Sequence, residues 1–133
     1  MKRREQALLL LRKAAQDEAL LDAVIDSAGV SDEIFGFHCQ QAAEKMLKAL
    51  LSDLAVRFRK THELGALIAL IESSGRAIPQ EFADLDMLTP FGAVYRYEDF
   101  DAELALDRGR ARQWLRSLRA YVEEKLRERI SSG

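Results

Sequence analysis

Hydrophobic residues recur every three or four positions along nearly the whole chain, and this spacing constrains the fold more than any other feature. It is the period of one face of an α-helix, whereas a half-buried strand would alternate apolar and polar residues. Only 7 Gly and 2 Pro interrupt the 133 residues. We therefore expect an all-α protein, and a chain of this length predicts a single domain over residues 1–133.

The same pattern predicts where the helices lie. Predicted helices span residues 3–27, 31–54, 62–73, 79–89 and 102–129, with Ser31 as an N-cap and Pro90 stopping or kinking the fourth helix. On the first helix we expect the buried face to contain Leu8, Leu11, Ala15, Leu20 or Leu21, and Ile25. Short links between amphipathic helices favour antiparallel neighbours, so the expected architecture is an up-and-down bundle of four to five helices.

The second predicted helix has the broadest apolar face. On a helical wheel this face comprises Phe35, Ala42, Met46, Leu47, Leu50, Leu51 and Leu54. Such a helix must lie at the centre of the bundle, contacted from several sides. Its remaining polar stripe comprises Gln41, Glu44, Lys45 and Lys48, with His38 at the boundary.

One stretch, residues 37–50, has the sequence Phe-His-Cys-Gln-Gln-Ala-Ala-Glu-Lys-Met-Leu-Lys-Ala-Leu. It resembles the second helix of the HEPN family (higher eukaryotes and prokaryotes nucleotide-binding domain). Residues 61–64, Thr-His-Glu-Leu, and 95–99, Tyr-Arg-Tyr-Glu-Asp, follow in the order typical of that family. Two departures are Cys39, where Ala is commoner, and Glu98, where Pro is often found. The resemblance implies a HEPN-like helical protein, usually a homodimer, commonly encoded beside a minimal nucleotidyltransferase in toxin-antitoxin modules.

The resemblance also implies a possible enzyme, because some relatives are metal-independent ribonucleases with an Arg, four to six residues and a His. Arg57 and His62 fit this spacing. A neutral imidazole can take the proton of a ribose 2′-hydroxyl, while a guanidinium donates to the phosphate as charge builds. We expect His62 in the first turn of a helix, where the macrodipole disfavours the imidazolium. Otherwise His62 is a structural residue at a helix start and Arg57 a solvated loop cation.

Two further groups of residues are candidates for ligand binding. His38, Gln41 and Lys45 lie along one side of the second predicted helix, where they would contact a nucleotide or bond to a neighbouring helix or a dimer mate. Tyr95, Arg96 and Tyr97 would stack on a purine and bind its phosphate, or close the bundle as an aromatic clamp with Arg96 paired to Asp99 or Asp101.

Charge is distributed unevenly along the chain. Residues 76–104 are acidic and residues 107–129 are basic, although the net charge is only −2. On the last predicted helix a basic stripe comprises Arg108, Arg112, Arg116 and Arg119. Three interpretations remain: pairing with the acidic region 81–103, exposure to solvent, or contact with RNA phosphates or an acidic partner protein.

Cysteine and histidine usage excludes several kinds of site. Cys39 is the only cysteine, which rules out an internal disulfide and a thiolate metal cluster within one chain, and His38 and His62 are too few for zinc without carboxylates. We expect no metal and no cofactor. The lone cysteine and the absence of a signal-peptide pattern or a long apolar run predict a cytoplasmic protein with no membrane contact.

These observations leave three functional hypotheses. The first is a dimeric, nucleotide-binding partner of a minimal nucleotidyltransferase in a toxin-antitoxin module. The second is a metal-independent endoribonuclease that uses Arg57 and His62. The third is a structural dimerisation protein with no ligand at any of these residues.

Overall fold

Four α-helices and one 3₁₀ segment form the part of the chain that the computed structural model describes, residues 2–92 and 105–132, with side chains through residue 128. In chain order these are α1 (Lys2–Val24), α2 (Asp32–Asp53), α3 (Leu64–Ser73), the 3₁₀ segment (Gln80–Gly92) and α4 (Arg108–Ser132). No strand occurs among these residues. The all-α prediction is confirmed.

Helix α2 lies at the centre of the bundle, as its broad apolar face predicts. The Ser31 hydroxyl accepts the amide of Ile34 at 3.1 Å, so the expected N-cap is present. α2 contacts α1, α3, the 3₁₀ segment and α4. Its largest fully buried residues are Phe35, Met46, Leu47, Leu50 and Leu51. Burial around most of its circumference makes α2 the element on which all the others pack.

Ion pairs between helix ends show how α1 and α4 run relative to α2. Arg4, at the start of α1, lies 3.2 Å from Asp53 at the end of α2, so these two helices are antiparallel. Arg108, at the start of α4, lies 2.8 Å from Asp32 at the start of α2, so these two are parallel.

The buried face of α1 differs from the predicted one. Its buried apolar residues are Ala7, Leu11, Ala14 and Leu21. Leu8, Ala15 and Leu20, which were candidates for that face, are exposed. The physical reason is that Asp17 and Glu18 also lie on the buried side, where cations of α2 and α4 pair with them. These ion pairs rotate α1 so that Ala7 and Ala14 face the core, and their small side chains leave room for α2.

Helix α3 begins at Leu64, two residues later than predicted. The Leu64 amide donates to the Thr89 hydroxyl at 3.0 Å and the Gly65 amide donates to Asp86 at 2.8 Å, so side chains of the 3₁₀ segment satisfy the first amides of α3. His62 therefore precedes the helix. The expectation that it lies in the first helical turn, under the macrodipole, is wrong.

The fourth predicted helix is the 3₁₀ segment, and it continues past Pro90 to Gly92. Phe82, Leu85, Leu88 and Phe91 are buried at intervals of three, which is the 3₁₀ repeat and not the α-helical one. The end of the segment is fixed by close packing, because a Cβ added to Gly36 would lie 2.2 Å from the Phe91 ring. Only glycine leaves room for this contact.

Among the described residues, the arginine stripe of α4 pairs mainly with α1. Arg112 binds Asp22 through Nε at 2.6 Å and Nη2 at 3.0 Å, and it binds Glu18 through Nη1 at 3.1 Å. Arg119 Nε donates to the other oxygen of Glu18 at 2.6 Å. Within the described residues of the acidic region, 81–92, a single ion pair reaches α4, between Asp84 and Arg110.

The predicted start of α4 is also revised. Residues 105–107 are not helical, and the helix begins at Arg108, where the Asp107 carboxylate accepts the Arg110 amide at 3.0 Å. Asp107 therefore acts as the N-cap of α4, because its side chain binds the amide of the third residue after it. The first predicted residues of this helix, 102–104, lie outside the described residues.

We predict that Glu18→Ala destabilises the protein strongly. The side chains of Glu18 and Arg112 are only 8% and 6% exposed, and removing one member of a buried pair costs about 3–5 kcal/mol. We expect the lower end of this range, since Asp22 still binds Arg112. Asp84→Ala is the matched control because the Arg110 and Asp84 side chains are 54% and 57% exposed, and it should cost under about 1 kcal/mol. Equal free energies of unfolding for the two variants in urea would contradict this prediction.

Candidate functional site

A buried carboxylate on α2, that of Glu44, collects three polar side chains around it. Its Oε1 accepts hydrogen bonds from Gln40 Nε2 at 3.0 Å and His62 Nδ1 at 2.8 Å. Its Oε2 accepts a bond from Lys48 Nζ at 2.9 Å. We call these four residues the Glu44 cluster. It joins the central helix to the segment that precedes α3.

Local sequence explains how the cluster forms. Gln40, Glu44 and Lys48 are spaced four residues apart and therefore lie on one side of α2. After α2, Ala55 adopts a positive φ of 61°, and this turn redirects the chain at the end of the helix. Gln40 then fixes the returning segment, because its amide also donates to the His62 carbonyl at 2.9 Å.

The charge state of Glu44 determines the state of the imidazole. Burial alone would raise the pKa of Glu44, but hydrogen bonds from Lys48, Gln40 and His62 outweigh it and lower that pKa. The ionised carboxylate can only accept hydrogen bonds, so Nδ1 of His62 must carry the proton. In the neutral imidazole, Nε2 is then the basic nitrogen. The His62 side chain is 47% exposed, which leaves it accessible to a ligand.

Arg57 lies in the loop between α2 and α3 and is exposed. It lines two cavities, one of about 530 Å³ with Arg59, Lys60 and Thr61, and one of about 410 Å³ that includes Phe58. Within the described part of the chain no hydrogen bond or ion pair joins Arg57 to His62. The structure therefore places the two motif residues in one loop but fixes only the imidazole.

The predicted ligand-binding stripe on α2 contacts the protein itself. His38 Nδ1 lies 3.0 Å from Asp17 Oδ1, and Lys45 Nζ donates to Asp17 Oδ2 at 2.6 Å. Gln41 donates to the Gln40 side chain at 2.8 Å. These are the contacts expected of a polar stripe that bonds to a neighbouring helix, and a ligand role for these residues stays a prediction.

Tyr95, Arg96 and Tyr97 lie outside the described residues. Both the purine-pocket hypothesis and the aromatic-clamp hypothesis therefore stay predictions.

Cys39 is fully buried, and burial raises the pKa of its thiol to about 12. A thiol of this kind stays protonated and is a poor nucleophile. Among the described side chains, no group of three or more His, Cys, Asp or Glu residues could hold a metal ion. Across residues 2–92 and 105–132, no helix has the length and apolar character needed to cross a membrane.

The roles of Gln40 and Glu44 are not predicted by the sequence pattern. The pattern puts Glu44 on the polar stripe of α2 without assigning it a function, and it assigns none to Gln40. One signal was present: Glu44 precedes Lys48 by four residues on a helix that is otherwise largely apolar, and a carboxylate there needs partners. Periodicity gives no indication that one partner would be His62.

Comparison with known proteins gives one match. The family model described as "HEPN domain" matches residues 7–129, a range that includes the whole Glu44 cluster. No curated protein and no solved structure matches the chain.

We predict that Glu44 makes stability fall in acid. Its pKa in the folded protein is below the ordinary 4.5, so its contribution is complete above about pH 4.5 and is lost as the pH falls through the folded value. Glu44→Gln should flatten the acid limb of unfolding free energy against pH, measured by urea denaturation. Glu81→Gln, at an exposed position, controls for the loss of one charge. An acid limb as steep in Glu44→Gln as in the wild type would refute this assignment.

Proposed function

The chain belongs to the HEPN domain family, and membership in this family suggests a nucleotide-binding or ribonuclease-like function. We propose that the protein is a metal-independent endoribonuclease. The observation that supports this proposal is the hydrogen bond of 2.8 Å between Glu44 and Nδ1 of a half-exposed His62. A carboxylate that fixes one imidazole nitrogen and leaves the other basic is a recurrent arrangement for general-base catalysis.

In the proposed reaction His62 Nε2 takes the proton of the ribose 2′-hydroxyl. The 2′-oxygen then attacks the adjacent phosphorus, the bond to the 5′-oxygen breaks, and the product is a 2′,3′-cyclic phosphate with a free 5′-hydroxyl. Glu44 stabilises the imidazolium that forms, and Arg57 donates hydrogen bonds to the non-bridging oxygens as their charge rises. The leaving oxygen needs a proton, which the His62 of a second copy in a dimer would supply.

The proposal predicts RNA cleavage by the purified protein in the presence of a metal chelator. His62→Ala should lower kcat by about 10²- to 10⁴-fold through loss of the general base. Glu44→Gln should lower kcat more than it changes KM, because it acts by positioning the imidazole. Asp84→Ala, at an exposed ion pair, should cleave like the wild type. Equal cleavage by the wild type and His62→Ala would refute the proposed function.

A second candidate function is that of a partner for a minimal nucleotidyltransferase in a toxin-antitoxin module in the cytoplasm, with the chain as a homodimer. HEPN domains often dimerise. The supporting observation is a set of apolar side chains on the outside of α1, Leu8, Leu9 and Leu20, which are 43%, 39% and 42% exposed. Single exposed apolar side chains are common, but large ones grouped on one outer side of a helix favour an interface.

We predict a homodimer by sedimentation velocity, and co-purification with a minimal nucleotidyltransferase from the same organism when the two are co-expressed. Leu20→Lys should weaken the dimer about tenfold or more if α1 forms the interface, because a desolvated lysine is unfavourable there. Glu81→Gln, at an exposed position of the 3₁₀ segment and not on α1, should not change the dissociation constant. A persistent monomer that binds no nucleotidyltransferase would contradict both the dimer and the partner.

A further inference from the structure

Cations without an acidic partner gather at one end of the bundle. We call this surface the basic end, and it comprises Lys2, Arg3, Arg57, Arg59 and Lys60. Within the described residues none of them forms an ion pair. By contrast, the α4 arginines that line the bundle are paired with Glu18, Asp22 or Asp32. The charges of Arg108, Arg112 and Arg119 are thus neutralised internally, while those of the basic end are available to an external anion.

Two cavities bring these cations together. Lys2, Arg3 and Arg57 line the cavity of about 410 Å³ between the start of α1 and the end of α2. Arg57, Arg59 and Lys60 line the cavity of about 530 Å³ beside α3. Arg57 borders both, so the cations form one continuous path. The carboxylate on this path is Glu63, which lines the second cavity, and the cations outnumber it.

An aromatic ring connects the basic end to the Glu44 cluster. Phe58 is partly exposed and lines the first cavity beside Arg57. Lys48 lies 5.7 Å from the centre of the Phe58 ring while donating to Glu44. On α2, Glu44, Lys48 and Ser52 follow one another by single turns, and Ser52 lines the same cavity. Glu44, which binds His62, therefore lies about 12 Å along α2 from Ser52.

We propose that the basic end binds the phosphate backbone of a single-stranded RNA and that Phe58 stacks on one of its bases. This inference rests on the proposed action on RNA and identifies the surface that would carry the strand to His62. Closely spaced cations suit successive phosphates, and an aromatic ring beside them suits an unpaired base. A duplex keeps its bases stacked inside and offers none to Phe58. An acidic protein would use the cations but has no need for the ring.

The test is fluorescence anisotropy of a labelled oligouridylate in chelator at several salt concentrations, with His62→Ala as the background to prevent cleavage. We expect each of Arg3→Gln and Lys60→Gln to make the slope of log K against log salt shallower by about 0.7, the value for one lost phosphate contact. Phe58→Leu should weaken binding about tenfold and leave the slope unchanged. Arg12→Gln is the matched control, an exposed cation about 13 Å from Arg3 on another side of α1, and it should bind like the background.

Three outcomes would overturn the inference: unchanged slopes for Arg3→Gln and Lys60→Gln, an equal loss for Arg12→Gln, or polyglutamate binding as tight as the oligouridylate and insensitive to Phe58→Leu. The last outcome would assign the surface to an acidic protein. If the variants bind RNA as expected but the wild-type protein does not cleave it, the ribonuclease activity is refuted and the RNA-binding surface is supported. If the wild-type protein cleaves RNA and Arg3→Gln and Phe58→Leu leave KM unchanged, the ribonuclease activity is supported and the RNA-binding surface is refuted.

Discussion

The structure depends on the burial of α2 around most of its circumference. Because four other elements cover this helix, any polar side chain that it carries must find a partner inside the bundle. Gln40 is fully buried and Glu44 almost so, and both meet this requirement through the same neighbours, each other and His62. The position of the proposed catalytic histidine is therefore a consequence of core packing.

Ion pairing is the second determinant of the arrangement. Asp17 and Glu18 of α1 lie next to each other in sequence but point to different helices, Asp17 to Lys45 of α2 and Glu18 to Arg112 and Arg119 of α4. Long arginine side chains let α4 hold α1 although the two helices pack mainly on α2 and not on each other. Buried carboxylates are stable only when paired, so these contacts fix the rotation of α1.

Among the described residues, charge pairing also separates two groups of cations. In the first group Arg112 of α4 is buried between Glu18 and Asp22, and its hydrogen bonds with Asp22 raise the pKa of Arg112 and lower that of Asp22. Those near Arg57 have no such role among the described residues. The basic stripe seen on a helical wheel therefore does not indicate a ligand-binding surface. The cations of the loop, at positions 57, 59 and 60, belong to the accessible basic end.

The sequence by itself determined the helical class, the central place of α2, the N-cap at Ser31 and the resemblance to HEPN domains, because periodicity and capping are local properties. It also identified His62 and Arg57, but only by their spacing. Tertiary structure decided which face of α1 is buried, that the segment through Pro90 is a 3₁₀ helix, and that Glu44 orients His62. These features depend on contacts between residues 18 to 94 positions apart in sequence, such as Glu44 with His62 and Glu18 with Arg112. Contacts over such separations follow from how whole helices pack, which local patterns do not encode.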